Sequence, residues 1–142
     1  MPSYAFLSRL VKDVMTRDVV TVSPKTPLRE VELLFERHGF NGVPVVDGAG
    51  RLLGMLTKFD TLRAFQFSTA SIVPRYEEIL QLPAERVMTR NPHSVTPDMP
   101  LTRVLETLLR TGYKSLPVVK DGMLEGIVSR KDVLGALRRS AA

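Results

Sequence analysis

Gly126-Ile127-Val128-Ser129-Arg130-Lys131-Asp132 has a counterpart 72 residues earlier in the chain, Gly54-Met55-Leu56-Thr57-Lys58-Phe59-Asp60. In each copy an apolar stretch follows a glycine and leads to a hydroxyl residue, with a carboxylate three positions further on, where an amphipathic pattern begins. This pattern predicts a strand that runs directly into a helix. The two copies mark the same structural element in a duplicated chain.

The start of such a helix can serve two purposes. Its first backbone N–H groups have no partner inside the helix and carry partial positive charge, so a phosphate can bind there. The hydroxyl residue can help to hold the phosphate, and an ionised carboxylate can accept hydrogen bonds from the 2′- and 3′-hydroxyls of a ribose. The alternative is structural, because Ser or Thr followed three residues later by an acid also forms a capping box. Duplication favours the nucleotide interpretation and leaves the structural one open.

The duplication extends over most of the chain. Val14-Met15-Thr16-Arg17 matches Val87-Met88-Thr89-Arg90 at an offset of 73 residues, and the offset falls to 72 after the turn at residues 47–51. A turn tolerates the loss of one residue, and a repeat this long predicts two pseudo-symmetric modules instead of a solenoid. We therefore divide the chain into an N-terminal helical segment (1–13), a first repeat (14–67), a connecting segment (68–86) and a second repeat (87–142).

Each repeat predicts the order β-α-β-β-α. In the first repeat, strands are expected at 19–22, 43–47 and 52–57, with one helix capped by Thr26 and ended by Gly39 and another from 58 to about 67. The second repeat predicts a strand at 94–95, a helix after Pro100 and before Gly112, and the same hairpin and closing helix, while residues 76–80 predict a short connecting helix. One module alone would be marginally stable. The expected fold is α/β (α+β), with two pseudo-twofold-related modules packed through their sheets.

Composition sets limits on the partners. The chain has 142 residues, 44% of them hydrophobic, with no apolar run near the length of a membrane helix and no secretory pattern at the start, which predicts a cytoplasmic protein without membrane contact. No cysteine and only two histidines are present, so neither a disulfide nor a metal site is expected. The net charge of +5 favours anionic partners in general.

Catalysis is not expected, because the sequence has no Gly-rich phosphate loop, no metal-ligand cluster and no Gly-x-Ser-x-Gly motif. A nucleic-acid-binding protein is the stronger alternative, given the basic balance. Against it, no helix-turn-helix signature appears, and 6% aromatic residues is few for a single-strand binder. A purely structural dimerisation module with no nucleotide ligand is the remaining alternative.

Each β-α-β-β-α unit begins with Val-Met-Thr, contains a Pro-Val-Val strand and ends with the motif Gly-x-x-Thr/Ser-x-x-Asp. In these features the chain resembles the tandem CBS-domain pair, or Bateman module, over about residues 10–139. The resemblance implies a stand-alone regulatory protein, not an enzyme, that binds AMP, ADP, ATP or S-adenosylmethionine in the cleft between the repeats, with Mg²⁺ if the ligand is ATP. It also implies a homodimer, a disc of four CBS modules, and an unidentified effector protein that reads a conformational change.

The resemblance places two nucleotide-binding sites. In site 1, Asp132 would hold the ribose hydroxyls, Ser129 the phosphate and Ile127 the base, and the other members are Met15, Asp18, Val20, Phe40, Asn41 and Gly42. In site 2, Asp60 and Thr57 take the first two roles, and the other members are Met55, Met88, Asn91, His93, Tyr113 and Lys114. His93 and Lys114 stand where Val20 and Asn41 stand in site 1, and the positive charge that they can carry predicts that site 2 favours more highly phosphorylated ligands, with the alternative that one of the two sites is empty.

Several of these residues have a structural alternative. Phe40 and Tyr113 follow helix-ending glycines and could be core anchors, and Met15 and Met88 are equally typical of gap-filling core. His93 lies where a surface histidine is common. Arg130 and Lys131 flank the proposed phosphate position but also suit a solvated helix face.

Overall fold

The computed structural model describes residues 5–66 and 76–140, which form two compact units. The first-repeat unit lies within residues 20–92. The second-repeat unit combines residues 5–19 with residues 93–140, so the first Val-Met-Thr motif packs with the second repeat. Of the predicted segments, residues 1–4, 67–75 and 141–142 lie outside the described residues.

The chain alternates short helices with two β-hairpins. The elements of the described residues are, in chain order, α1 (Ala5–Ser8), α2 (Val11–Val14), α3 (Leu28–His38), β1 (Gly42–Val46), β2 (Leu52–Thr57), α4 (Lys58–Ala64), α5 (Tyr76–Leu80), α6 (Ala84–Val87), β3 (Thr89–Arg90), α7 (Leu101–Thr111), β4 (Ser115–Lys120), β5 (Met123–Ser129) and α8 (Arg130–Ser140). The mixed α/β class and both hairpins are as predicted.

The two units have the same strand arrangement. In the first-repeat unit β1, β2 and β3 form an antiparallel sheet, and Val22 forms a parallel bridge to Val45. In the second-repeat unit β4 pairs with β5, with single bridges from Val95 to Val118 and from Thr16 to Ile127. The internal repeat of the sequence is therefore a repeat of the backbone pairing.

The strands predicted at 19–22 and 94–95 are wrong in extent, because each is reduced to a single bridge. Val22 donates its N–H to Pro44 O at 3.0 Å and accepts from Val46 N at 2.9 Å, and pairing ends there. Pro24 and Pro97 lie two residues after the bridging valines and have no N–H, so neither ladder continues beyond the bridge, while residues 19–21 and 94 precede the bridges without strand pairing.

The predicted cap of α3 is also wrong. Pro27, not Thr26, is the N-cap residue, and the Thr26 hydroxyl accepts from Ser23 N at 3.0 Å. The first N–H of α3 instead donates to Leu82 O at 2.9 Å, and that of α7 donates to Arg9 O at 3.1 Å. Carbonyls from distant segments thus replace the side-chain cap. Gly39 and Gly112 end these helices with φ of 67° and 75°, as predicted.

The segments before each Val-Met-Thr motif are short helices. The N-terminal helical segment consists of two short helices, α1 and α2, separated by a break at residues 9–10, and they pack against α7 and α8. The helix predicted at 76–80 is confirmed as α5, which packs against α3. The closing helix α4 ends at Ala64, before the predicted end at about residue 67, which lies outside the described residues.

Each unit has its own apolar core. The first-repeat core is formed by Val22, Leu28, Val31, Phe35, Val43, Val45, Leu56, Ala84, Val87 and Met88. The second-repeat core is formed by Phe6, Val11, Met15, Val95, Leu101, Val104, Leu108, Leu116, Val118, Val128, Val133 and Ala136. No helix within residues 5–66 and 76–140 combines the length and the apolar character needed to span a bilayer.

Candidate functional site

The junction between β2 and α4 carries the first Thr-x-x-Asp motif. Thr57 is the N-cap of α4, its hydroxyl accepts from Asp60 N at 3.2 Å, and Asp60 Oδ2 accepts from Thr57 N at 2.8 Å. This is a capping box, in which two backbone N–H groups at the helix start are satisfied reciprocally. The structural alternative raised by the sequence is therefore present in the fold.

Asp60 makes further contacts beyond the cap. Its Oδ2 also accepts from Thr57 Oγ1 at 2.9 Å, while its Oδ1 accepts from Arg63 Nη2 and from Thr89 Oγ1, both at 2.8 Å. The carboxyl is deeply buried, with 3% of its side chain exposed. A carboxylate offers about four acceptor positions, and at Asp60 all of them are used by the protein itself.

The junction between β5 and α8 carries the second motif. Ser129 N and Ser129 Oγ donate to Asp132 Oδ2 at 2.9 and 3.0 Å, and Asp132 N lies 3.3 Å from Ser129 Oγ. Asp132 is partly exposed. Within residues 5–66 and 76–140 we find no hydrogen bond to Asp132 Oδ1. The second carboxylate thus caps its helix with one oxygen, while its other oxygen receives no hydrogen bond from residues 5–66 and 76–140.

The difference between the two carboxylates comes from Arg63 and Thr89, two donors to Asp60 Oδ1 that the sequence analysis missed. Arg63 lies three residues after Asp60 on α4, and Gly135 occupies the corresponding position on α8. Residues three apart on a helix are neighbours on its surface, so the i,i+3 spacing of Asp60 and Arg63 was the available signal. Thr89 was also missed as a partner of Asp60, because nothing local connects residues 29 positions apart.

The glycine of each motif allows a close approach of backbone segments. A Cβ on Gly54 would lie 2.6 Å from Thr89 O and 2.7 Å from Met88 Sδ, and one on Gly126 would lie 2.6 Å from Thr16 O. Met15 and Met88 are buried in the two cores, as their structural alternative predicted. Glycine is therefore required at both positions for the Val-Met-Thr segments to reach the hairpins.

The structure divides predicted site 1 between the two units. Asp132, Ser129, Ile127, Met15 and Asp18 belong to the second-repeat unit, where Thr16 and Ile127 exchange backbone hydrogen bonds of 2.8 and 2.9 Å and Asp18 is exposed. Val20, Phe40, Asn41 and Gly42 belong to the first-repeat unit. There Gly42 pairs with Thr57, a member of predicted site 2, and Asn41 O accepts from Lys58 N at 2.9 Å.

Predicted site 2 is divided in the same way. Asp60, Thr57, Met55, Met88 and Asn91 belong to the first-repeat unit, and Asn91 has a positive φ of 49°, which asparagine tolerates. His93, Tyr113 and Lys114 belong to the second-repeat unit, where the rings of His93 and Tyr113 lie 5.6 Å apart. That all members of site 1, or all members of site 2, line one pocket stays a prediction.

The aromatic residues after the helix-ending glycines differ, since Phe40 packs against the first-repeat core, as its core-anchor alternative predicted, whereas Tyr113 lies at the surface. Phe40 is partly exposed and stacks on His38 with 4.8 Å between the ring centroids, while Tyr113 is exposed. Arg130, expected beside the phosphate position, donates from Nε to Tyr113 O at 3.0 Å and from Nη2 to Gly112 O. Its guanidinium therefore caps the C-terminal end of α7, a favourable position for a cation.

Metal chemistry has no evident place in the part of the chain that is described. Among residues 5–66 and 76–140, no group of three or more His, Asp or Glu side chains is arranged to hold a metal ion. The pKa of Asp47 and that of Glu85 both lie below their usual values. The pKa of Glu85 falls mainly through its hydrogen bond from Lys25.

Comparison with known proteins shows relatives of very different lengths. A CBS domain-containing protein of Bacillus subtilis, YhcV, is 33% identical over 124 residues, which are 87% of this chain and 81% of that protein. An uncharacterized 17.7 kDa protein of Acidianus ambivalens is 29% identical, with 89% and 72% coverage. Other relatives are far longer, and the chain spans only 16% of the A-adding tRNA nucleotidyltransferase of Aquifex aeolicus.

Two solved structures with bound ligands are similar over nearly the whole chain. The structure of CBSX2 in complex with AMP has a TM-score of 0.80 at 27% identity and covers 93% of this chain and 98% of that one. The CBS domain pair of protein MJ0100, in complex with 5′-methylthioadenosine and S-adenosylmethionine, has a TM-score of 0.74 at 25% identity, with 92% and 97% coverage.

The family match follows the two repeats. The CBS domain is matched twice, over residues 11–66 and over residues 84–139, and each match contains one Val-Met-Thr motif, one hairpin and one Thr/Ser-x-x-Asp junction. These matches together cover well over half of the chain. The chain therefore belongs to the CBS domain family and carries its domain as a tandem pair.

Proposed function

We propose that the chain is a regulatory module that binds an adenosine-containing ligand of the class of AMP, ADP, ATP and S-adenosylmethionine. The observation that carries the proposal is Asp132, whose Oδ2 caps α8 while its Oδ1 takes no partner from the described residues. Such an oxygen can accept a hydrogen bond from a ribose hydroxyl. The similarity to CBSX2 with AMP and to MJ0100 with two adenosyl compounds supports the adenosine part of the proposal.

Phosphate recognition would come from the same junction. α8 has eleven residues and begins beside the Ser129 hydroxyl, where the N–H of Arg130 already donates to Lys114 O at 3.0 Å and that of Asp132 to Ser129 Oγ at 3.3 Å. A phosphate there would be stabilised by the helix dipole and by the remaining first-turn N–H groups. If the ligand is ATP, its phosphates would bring Mg²⁺ with them, since phosphate oxygens and water suit that ion.

The module's role is proposed to be signalling, not catalysis. A ligand can shift a conformational equilibrium only by binding one state more tightly than another, and we propose that an effector protein reads that shift. We also propose a homodimer, on the basis of the family resemblance, and a cytoplasmic location, which stays a prediction. Sedimentation and small-angle scattering of the protein with and without ligand would test the dimer and the shift.

Thermal shift tests the proposed function directly. AMP, ADP, ATP, S-adenosylmethionine, NAD and GTP are each added to the wild type and to Asp132→Ala. A ligand at about a hundred times its dissociation constant adds roughly 2.7 kcal/mol to the free energy of unfolding, which raises the melting temperature by several degrees. We expect an adenosine compound to stabilise the wild type and to lose that effect in the variant.

The capping boxes favour one competing function, a structural module in which both carboxylates only cap helices. In that case no compound of the panel shifts the melting temperature of the wild type. Nucleic-acid binding, the other alternative, would appear as strongly salt-dependent binding of DNA or RNA that Asp132→Ala leaves intact.

A further inference from the structure

The two carboxylates of the duplicated motif differ in how many donors the protein aims at them. Asp60 receives Thr57 N, Thr57 Oγ1, Arg63 Nη2 and Thr89 Oγ1 at 2.8–2.9 Å. A ribose hydroxyl could bind Asp60 only by displacing one of these donors. Asp132 needs no displacement, because the described residues direct donors to Oδ2 alone.

Arg63 is the donor that a ligand would find hardest to displace. Its bond to Asp60 joins two opposite charges, and such charge-assisted bonds are roughly twice as strong as neutral ones, whereas a ribose hydroxyl is a neutral donor. The Arg63 guanidinium also lies 5.8 Å from the centroid of the Phe59 ring, which helps to hold it in place. The corresponding residues of α8, Lys131 and Gly135, offer neither the ring nor the guanidinium.

Because the motif is duplicated, the donors to Asp60 other than Arg63 can be compared with their counterparts at Asp132. Both carboxylates receive the backbone N–H and the hydroxyl of their capping residue. Both also have a threonine on the neighbouring crossing segment, Thr89 in one unit and Thr16 in the other, paired to Met55 and Ile127 respectively. The Thr89 hydroxyl reaches Asp60, whereas no bond from Thr16 to Asp132 is found among the described residues. The two junctions thus differ in residue type at one donor position, which holds Arg63 in the first and Gly135 in the second.

We infer that Arg63 closes the Asp60 junction to ligand, so that each chain binds one adenosine compound and binds it at Asp132. This inference rests on the proposed function, and it adds that the ligand binds at Asp132 and not at Asp60. Arg63 acts through Asp60 and is a positioning residue. The prediction that the Asp60 site selects more highly phosphorylated ligands would then not apply to the wild-type protein.

The test is calorimetric titration of the full chain with AMP and, separately, with S-adenosylmethionine, because calorimetry reports stoichiometry as well as affinity. The wild type should bind one equivalent of the active compound. Gly135→Arg places a guanidinium three residues after Asp132 and should weaken binding at least tenfold. Gly135→Ala is the matched control, since a Cβ there meets only the flexible end of Arg139 at 3.3 Å, and it should bind like the wild type.

The reverse substitution tests the closed junction. Arg63→Gly should add a second equivalent, while Arg63→Lys, which keeps a cation near Asp60, should add none. The melting temperature of each variant, measured without ligand, confirms that the protein titrated is folded.

Each result decides between the two proposals. Two equivalents on the wild type would overturn the closure by Arg63 and leave the proposed function intact. So would equal weakening by Gly135→Ala and Gly135→Arg, or no second equivalent on Arg63→Gly. If neither the wild type nor Arg63→Gly binds AMP, ADP, ATP or S-adenosylmethionine, each titrated in turn, both proposals are wrong.

Discussion

Gly126 lies so close to Thr16 that a Cβ on the glycine would be 2.6 Å from the threonine's carbonyl oxygen. At this point Thr16 and Ile127 also exchange two backbone hydrogen bonds, although they are more than a hundred residues apart in the chain. The same relationship holds between Gly54 and Thr89. The Val-Met-Thr motif therefore pairs with the second strand of each hairpin, and the glycine of that strand leaves the space that this pairing needs.

Gly126→Ala should lower the free energy of unfolding by about 1–3 kcal/mol, because the added methyl group forces the Met15–Thr16 backbone away from β5. Gly48→Ala is the control, since no atom lies within 4 Å of a Cβ at that position. Urea denaturation followed by circular dichroism measures both. Equal midpoints for the two variants would show that the close approach is not what the glycine permits.

Asp60→Ala should destabilise the protein more than Asp132→Ala. Removing Asp60 deletes a buried acceptor of the Thr57 N–H, Arg63 and Thr89, but the Arg63 side chain is 52% exposed and Thr89 is exposed, so their donors can turn to water and we expect a cost of about 1–3 kcal/mol. Removing Asp132 deletes one helix cap at a partly exposed position, which we expect to lower the free energy of unfolding by about 0.5–1.5 kcal/mol. Urea denaturation without ligand gives the comparison, and the reverse order would contradict the structural role assigned to Asp60.

The sequence predicted the repeat, both hairpins and the helix-ending glycines because each depends on neighbouring residues. It did not predict that α3 and α7 begin without a side-chain cap, since the acceptors of Leu28 N and Leu101 N are carbonyls of Leu82 and Arg9, far away in the chain. It also gave Asp60 and Asp132 the same role, although it expected the residues around them to differ. Their difference depends on where the Arg63 side chain points, and spacing alone does not fix a rotamer.

Leu56 and Leu62 test where the core of the first-repeat unit ends. Leu56 in β2 is fully buried, whereas Leu62 in α4 is 71% exposed. Leu56→Ala should cost about 2–5 kcal/mol, through lost burial and the cavity left behind, and Leu62→Ala should stay within about 0.5 kcal/mol of the wild type. Both are measured by urea denaturation in dilute protein. A loss at Leu62 as large as that at Leu56 would contradict the exposed position of this face.

The turn of the first hairpin should contribute a pH-dependent part of the stability. Asp47 Oδ1 accepts from Arg51 N and Ala49 N, both at 2.9 Å. The hydrogen bond from the Arg51 backbone is the main reason that the pKa of Asp47 lies below its usual value, with burial opposing it. The carboxylate therefore stabilises the folded state fully above the unfolded pKa of about 4 and loses that contribution as pH falls through the lower folded pKa.

Asp47→Asn isolates this contribution, because an asparagine oxygen can accept the same two hydrogen bonds but does not ionise. At about pH 7 the variant should be less stable than the wild type, and the gap should close as the pH is lowered below about 4. Asp47→Ala should also lose part of its deficit over that range but keep a remainder, since its turn has no side-chain acceptor at any pH. Urea midpoints at several pH values between about 3 and 7 measure the three proteins. A gap between wild type and Asp47→Asn that stays constant down to about pH 3 would show that the Arg51 and Ala49 N–H groups do not favour the charged form of Asp47.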